Sequence, residues 1–473
     1  MKPQKEFIGN INSGDKLTLL PHRLLALGEN KIAIIAENNN GWGITNINSY
    51  LNIKKFLSPP GVIFTHELKS ELLKSLWNSN LLAKNGLSLG ALAQPFAPIL
   101  LVLKLTGNCN FNCTYCYDHD PSRINTTIPL TKVKETITTI AAKDRGINLV
   151  FHGGEPLLNF PLLQEITIFA KKTMKRINFF MQTNGSLFTN EIINFLEKYN
   201  FYVGVSLDGM TKFTNTHRAV KSGITCLQHF QKNYKEYGDF FRRRLGIICT
   251  LSKLNLPSIP KFILWLQNLD IKSIALSPLM PSGKGKQLNK HVVTADELID
   301  LYNSLITMVK NRQVERISLE NINKFISSLI KLRASDLCHA NPCGAGDNFL
   351  TIDAQGNYRA CDCIYDDYFV LTANNYTPGS RKKILQRREY MKNHDCSDCA
   401  IFGFCGGGCI AEAIATNGTA NSLPEKNCKL KKFFYKTLLK EYALDEKRPL
   451  FAYYTRMTGE KVPGNLNDNK KLS

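Results

Sequence analysis

Cys109-Asn-Phe-Asn-Cys113-Thr-Tyr-Cys116 follows directly on the apolar run Ile99–Leu105, which places three thiols on a loop at the end of a strand. Three thiolates within eight residues can wrap one face of a cubane cluster and leave one iron open for a further ligand. A single zinc ion is the alternative. It wants a fourth Cys or His, usually at paired Cys-x2-Cys spacing, and His119 is close enough in sequence to serve.

Downstream the same strand–loop–helix unit recurs. Strand-like runs are Ile99–Leu105, Ile147–Phe151, Ile177–Met181, Phe201–Ser206, Leu245–Thr250 and Ile271–Ser277. Helical patterns lie at about 130–143, 161–174, 189–199, 225–236, 258–269 and 294–310. Alternating β and α elements with near-continuously apolar strands predict an α/β fold, a parallel sheet covered by helices. Six units make a partial barrel or an open doubly wound sheet, and periodicity does not choose between them. Both place chemistry in the loops at the strand C-termini. There the unusual residues follow the strand ends in turn: Cys109, then Gly153-Gly154-Glu155-Pro156, Asn184-Gly185 and Asp208-Gly209, with Arg218 further along the fourth loop.

Two regions of different character flank this core, which is expected to span 98–335. Residues 1–97 carry two short β-like runs, Leu17–Leu27 and Lys31–Ile35, and an Asn-Asn-Asn-Gly turn signal at 38–41. Two helical patterns follow, and the second, Glu67–Leu82, aligns Leu68, Leu72, Leu73, Leu76 and Trp77 on one face. A segment containing Pro95 and Pro98 leads into the core, so a small N-terminal α/β module is expected. From 336 to 442 the chain turns Cys- and Gly-rich and closes on a Lys-rich helix at 426–442; residues 443–473 are expected to form a polar, frayed tail.

The 473 residues exceed one ordinary core, which predicts about two or three domains. No apolar run approaches the roughly 18–20 residues of a membrane span. Met1-Lys-Pro-Gln-Lys-Glu6 lacks the apolar centre of a secretory signal, so a cytoplasmic location without a membrane partner is expected. Fourteen cysteines in such a chain stay reduced, and their clustering at short spacings reads as metal ligation. Cys226 and Cys249, in helix and strand contexts, read as buried thiols. The net charge of +21 fits a solubilising surface or an acidic peptide or protein partner. Nucleic acid is not expected, because Arg242-Arg243-Arg244 is short and runs straight into an apolar strand.

The CxxxCxφC loop, with Tyr115 as its aromatic, resembles the signature of the radical S-adenosylmethionine (SAM) superfamily, and the later loops resemble that family's motifs in the same order. The resemblance implies a partial (β/α)6 TIM barrel, a [4Fe-4S] cluster on Cys109, Cys113 and Cys116, and cleavage of S-adenosyl-L-methionine to methionine and a 5′-deoxyadenosyl radical. Gly153, Gly154 and Glu155 would meet the cofactor's amino group; glycines allow close backbone approach, and a carboxylate suits an ammonium. Tyr115, Asn184, Ser206 and Asp208 would line the cofactor site, and Arg218 would take the methionine carboxylate. The family's histidine position, five past Gly209, holds Thr214, so no role carries to His217.

Further on, Cys343-x12-Gly356-x4-Cys361, Cys396-x2-Cys399-x5-Cys405-x3-Cys409 and Cys428 are similar to the SPASM pattern of radical enzymes that modify peptides and proteins. That implies two auxiliary [4Fe-4S] clusters, one on Cys338, Cys343, Cys361 and Cys409, the other on Cys396, Cys399, Cys405 and Cys428. Cys363 competes with Cys338 as fourth ligand of the first, and a zinc ribbon is the alternative for the whole region. Asp362 would be a general base, as in the sulfatase maturases the segment resembles; an Asp bonding turn amides is its plainer reading.

This architecture implies a ribosomally made precursor peptide as substrate and a one-electron donor such as flavodoxin or ferredoxin. The 108 residues before Cys109 have roughly the content of a leader-binding module, which takes a leader peptide as an added strand. Sulfatase maturases generally begin closer to their cysteine loop, so peptide maturation is favoured over anaerobic sulfatase maturation. A structural extension packed on the barrel is the other reading of that module, and a zinc-rich, non-enzymatic binding protein is the reading from another class.

Overall fold

Pro21 has no amide hydrogen for a ladder and splits the first apolar run into β1 (Lys16–Leu19) and β2 (His22–Gly28). The computed structural model describes residues 11–58, 60–64, 70–88, 98–221, 223–331, 338, 341, 343–363, 366–371 and 378–462. The opening hexapeptide, the start of the Glu67 pattern, the segment around Pro95 and the chain from 463 lie outside them. Two N-terminal strands were expected, and seven are present among the described residues. β3 (Lys31–Ala36) and β4 (Trp42–Asn46) complete an antiparallel sheet with β2, and β5 (Val62–Ile63), β6 (Leu82–Lys84) and β7 (Leu87–Ser88) form a second with β1. Glu29 and Asn30, both at positive φ, make the β2–β3 turn, whose twist suits a hairpin.

Strand β3 of the β2–β3–β4 sheet is buried on both faces from Ala33 to Ala36, whereas the outer strand β2 stays partly exposed. Ile34 and Ala36 join Tyr50, Ile53, Leu73 and Trp77 in a small core of their own. Leu27, Ala33, Ile35, Trp42 and Ile44, pointing the other way, are part of the main core of the molecule.

That main core is organised by six parallel strands: β8 (Ile99–Lys104), β9 (Ile147–His152), β10 (Ile177–Thr183), β11 (Tyr202–Ser206), β12 (Leu245–Leu251) and β13 (Ser273–Pro278). Each pairs with its sequence neighbours in parallel register. A doubly wound sheet reverses its strand order at a switch point. Here the order is sequential, which keeps the crossover helices on one face and curls the sheet into a partial barrel. The strands are less continuously apolar than expected. Met181, Val203, Val205, Ile247 and Cys249 are buried beneath the helices, whereas Gln182, Gly204, Ser206, Ile248 and Thr250, in register on the other face, are half-buried. Small and polar residues on that inner face leave a site rather than a packed core.

Short strands extend both sheet edges: β14 (Ser318–Leu319) beside β13, and β15 (Phe349–Ile352) beside β8, followed by β16 (Tyr358–Arg359) and β17 (Val370–Leu371). The Cys-rich region thus continues the barrel sheet before folding into helices Pro378–Asn393, Phe402–Cys405, Ile410–Asn417 and Glu425–Leu444. The stretch expected to fray carries a further helix, Pro449–Thr458. Its Leu450, Phe451, Tyr453 and Tyr454 sit at helical spacing and are buried, and the Tyr453 hydroxyl donates to the Ile317 carbonyl at 2.6 Å. Among the described residues no helix is long and apolar enough to cross a membrane.

Candidate active site

The loops at the C-terminal ends of β8 to β11 are strapped together by backbone. The Gly154 amide donates to the Thr106 carbonyl at 2.8 Å, and the Glu155 amide to that of Asn108 at 2.9 Å. A Cβ on Gly154 would lie 2.0 Å from the Asn108 oxygen, so only glycine permits this approach of the second loop to the cysteine loop. Gly153 adds a positive φ of 106°. Behind them Glu155 is buried; its carboxylate accepts from the Thr183 hydroxyl (2.7 Å) and from the Asn184 (2.8 Å) and Leu157 (3.1 Å) amides. Burial pushes its carboxyl up to about 7, against three hydrogen bonds that pull the other way.

Asn184 spans two loops: its Nδ2 donates to Asn110 Oδ1 at 2.8 Å and reaches Cys109 Sγ at 4.0 Å. Asp208 is buried at the centre of the fourth loop. It accepts from Tyr115 Oη at 2.5 Å, Arg218 Nη2 at 2.9 Å and the Thr250 amide at 2.8 Å. Arg218 also stacks over the Tyr115 ring, 5.4 Å from its centroid. The structure therefore brings Tyr115, Asp208 and Arg218 into one network, with Ser206 on the inner face of β11 just before it. Arg218 Nε and His217 Nε2 are buried without a hydrogen-bond partner.

The thiols themselves are unready as isolated ligands. Burial pushes Cys109 up to about 11 and Cys113 up to about 12, and Cys116 is raised by the same cause. Bound iron would supply the positive charge that releases those protons. Cys113 has both Cys109 and Cys116 as electrostatic neighbours, and Cys109 has Cys116, so the loop gathers its three thiols on one side. The residues fit the implied groups: three neighbouring thiols on one loop, a buried carboxylate facing no cation that stabilises it, and an arginine with an unused buried donor.

In the Cys-rich region the thiols fall into two electrostatic neighbourhoods. Cys396 is pushed up to about 12, chiefly by burial and then by Cys405, Cys399 and Cys428. Cys409 is likewise pushed up to about 12 by burial, with Cys363 and Cys343 adding to it. Cys361, Asp362 and Cys363 place their ligand atoms within 4.8 Å of one another, and the Cys363 thiol donates to Asp362 Oδ1 at 3.4 Å. Cys338 is exposed, and its carbonyl accepts from Lys431 at 3.1 Å. Gly406, Gly407 and Gly408 all have positive φ, which lets the chain wrap tightly from Cys405 to Cys409.

Several residues around these cages escaped the sequence reading. Arg387 and Lys431 are buried cations beside the thiols of the C-terminal region. Arg23, from the N-terminal sheet, donates to the carbonyls of Cys396 (2.6 Å) and Cys399 (3.1 Å). Lys104, the last residue of β8, is buried between the two cysteine-bearing loops. A lysine ending an apolar strand was the one visible signal among these. A cavity of about 500 Å³ opens beside this region, lined by Tyr117, His119, Arg123, Ser282, Lys286 and Asp366 among others.

The sequence matches the model of the Radical SAM superfamily over residues 103–266. It is 31% identical over 269 residues to the uncharacterized protein MJ0907 of Methanocaldococcus jannaschii, a match covering 56% of this chain and 85% of that protein. It is 23% identical over 362 residues to a cysteine-type anaerobic sulfatase-maturating enzyme of Clostridium novyi, covering 72% and 95%. Its fold is similar to that of Streptococcus suis SuiB solved with the precursor peptide SuiA, with a TM-score of 0.55 at 14% identity, covering 87% of this chain and 99% of that one. Proteins of this superfamily bind S-adenosylmethionine and a [4Fe-4S] cluster, and its maturase members are enzymes, which leaves the zinc-rich binding protein without support. By its cysteine loop, its strand-end motifs and its relatives, the chain belongs to the radical SAM superfamily.

Proposed function

We propose that this enzyme is a peptide maturase that abstracts hydrogen from a ribosomally made precursor peptide and installs a crosslink or related modification. The observation that carries this reading is the N-terminal module. The fold of SuiB, a protein solved with its precursor peptide, covers 87% of this chain, whereas the fold of anSMEcpe, solved with bound AdoMet, covers 73% of it. On this reading the N-terminal sheets recognise a leader peptide.

When bound, S-adenosyl-L-methionine and a reduced [4Fe-4S] cluster supply a 5′-deoxyadenosyl radical. The chain's own residues hold and aim those groups. Cys109, Cys113 and Cys116 would hold the cluster, Gly153 and Gly154 would let backbone come close to the cofactor, and Glu155 would meet its amino group. Arg218, whose Nε has no partner, would take the methionine carboxylate, and Tyr115, Asn184, Ser206 and Asp208 would line the rest. Asp362 accepts the proton released as the substrate is oxidised. Cys338, Cys343, Cys361 and Cys409 would hold one auxiliary [4Fe-4S] cluster, and Cys396, Cys399, Cys405 and Cys428 a second, with a donor such as flavodoxin or ferredoxin supplying the electron.

Anaerobic sulfatase maturation is the second reading, favoured by a relative of that name aligning over 95% of its own length and by Asp362 standing directly after Cys361. Anaerobic reconstitution should give about twelve irons per chain, from three four-iron clusters, and 5′-deoxyadenosine on reduction. Incubation with the peptide encoded beside the gene, read by mass spectrometry, should show a loss of two hydrogens for a crosslink. Turnover of a sulfatase-derived peptide and none of the neighbouring precursor would overturn the first reading in favour of the second.

A further inference from the structure

Lys104 ends β8 on the inner face of the barrel, in register with His152 on β9, and is 1% exposed. Burying an ammonium is costly unless every donor is used. Its Nζ donates to Asp118 Oδ1 at 2.6 Å, two residues past Cys116, and to the Asp362 carbonyl at 2.9 Å, one residue past Cys361. It also lies 5.1 Å from the centroid of the Tyr117 ring. Neutralising Asp118 does not by itself require this lysine, because Arg123 Nη1 already reaches the same carboxylate oxygen at 3.0 Å and Arg123 Nη2 the Asp118 carbonyl at 2.8 Å. What Lys104 alone adds, among the described contacts, is the bond to a loop 258 residues away in sequence. The same ammonium is an electrostatic neighbour of both Cys116 and Cys363, and of His152, whose Nδ1 accepts from the Gly153 amide at 2.7 Å.

We propose that Lys104 is a positioning residue that ties the first auxiliary-cluster loop to the cofactor-cleaving loop and serves as the shared cation of both clusters. The proposal rests on the reading that these cysteines hold [4Fe-4S] groups. A four-iron cluster with thiolate ligands is anionic and becomes more so on reduction, so a nearby fixed cation favours its reduced state. One lysine placed between two such loops raises both potentials together and holds the Asp362 main chain at a set position relative to the radical-forming loop.

The test is a potentiometric titration of the anaerobically reconstituted full chain followed by electron paramagnetic resonance. Lys104→Met, folded by circular dichroism and carrying wild-type iron, should lower the midpoint potentials of the SAM-cleaving and first auxiliary clusters. The expected size is about tenfold less reduced cluster at a fixed potential, about 59 mV for one electron. Lys104→Arg should restore most of it, and the second auxiliary cluster should not move. Should Lys104→Met fail to load iron, Lys104→Gln, which keeps an amide donor without the charge, is read in the same way. Unchanged potentials in a folded, loaded Met or Gln variant overturn the proposal, as does an equal shift in the Arg variant. A wild-type chain that takes up no clusters and forms no 5′-deoxyadenosine from S-adenosylmethionine and dithionite instead overturns the cluster reading itself.

Discussion

Glu155 carries the clearest pH signature of any single residue near the site. Burial raises its carboxyl from an ordinary value near 4.5 to about 7, so the folded chain holds a proton there that the unfolded chain has released. The stability linked to that proton is fully present below about 4.5 and is lost as pH rises through about 7, on the order of 3 kcal/mol if the shift is taken at face value. Cofactor-free protein should therefore melt at progressively lower temperature between about pH 5 and 8, and Glu155→Gln should flatten that slope. Parallel slopes in the two proteins would remove Glu155 as the cause. The cysteines give a sharper test of ligand identity. Cys113→Ala should abolish 5′-deoxyadenosine formation, since burial without a metal leaves its neighbours protonated. Between the two contenders for the first auxiliary cluster, Cys338→Ser should cost about four irons per chain and Cys363→Ser none; the reverse pattern in an iron assay would transfer the role to Cys363.

At the scale of elements, the N-terminal sheet and the cysteine knuckle meet at a tight junction. A Cβ on Gly403 would lie 2.0 Å from the Ala36 carbonyl oxygen of β3, while Arg23 of β2 holds the Cys396 and Cys399 carbonyls and pairs with Glu37 at 3.0 Å. Arg23→Ala should destabilise the chain by about 1.5–3 kcal/mol, the range for hydrogen bonds from a charged donor, and speed iron loss to a chelator. A melting temperature and chelation rate equal to wild type would show the clamp to be idle. Elements with a strong period were legible in sequence. Helix Asn190–Lys198 and strand Leu245–Leu251 lie within about two residues of the expected bounds because each buries one face completely. The two-residue strands β5 and β7 have no period to read, and helix Pro449–Thr458 was masked by its polar surroundings. The candidate cysteine ligands stood out because thiols are rare and their short spacings repeat. Lys104, Arg23, Arg387 and Lys431 were not, because each acts on a backbone or thiol far away in sequence, and charged residues in one dimension look like surface.

At the scale of the whole molecule the question is whether the N-terminal region is a detachable recognition module or part of the body. Leu27, Ile35, Trp42 and Ile44 are buried in the main core, Trp42 Nε1 donates to the Leu329 carbonyl at 3.0 Å, and its ring meets Tyr442 edge-on at 5.3 Å. Lys31 donates to the Ala443 carbonyl at 2.7 Å, and Lys392 pairs with Glu37 at 2.9 Å, so the sheet is fastened to the helix that carries Cys428 and to the one that leads into Cys396. Burying a large apolar side chain contributes about 1.5–3 kcal/mol. Four of them approach the roughly 5–15 kcal/mol that holds an entire domain folded. Deleting residues 1–88 should therefore expose the matching face of helices Glu320–Ile330 and Glu425–Leu444, giving a chain that aggregates or fails to retain its C-terminal iron. A separable module predicts the opposite: a soluble truncated enzyme with wild-type iron content that still cleaves S-adenosylmethionine and loses only its hold on the peptide. Size-exclusion chromatography with an iron assay on the truncated chain distinguishes the two. The buried face of β2, β3 and β4 favours the first, with any leader-binding surface built on a sheet that the catalytic body cannot fold without.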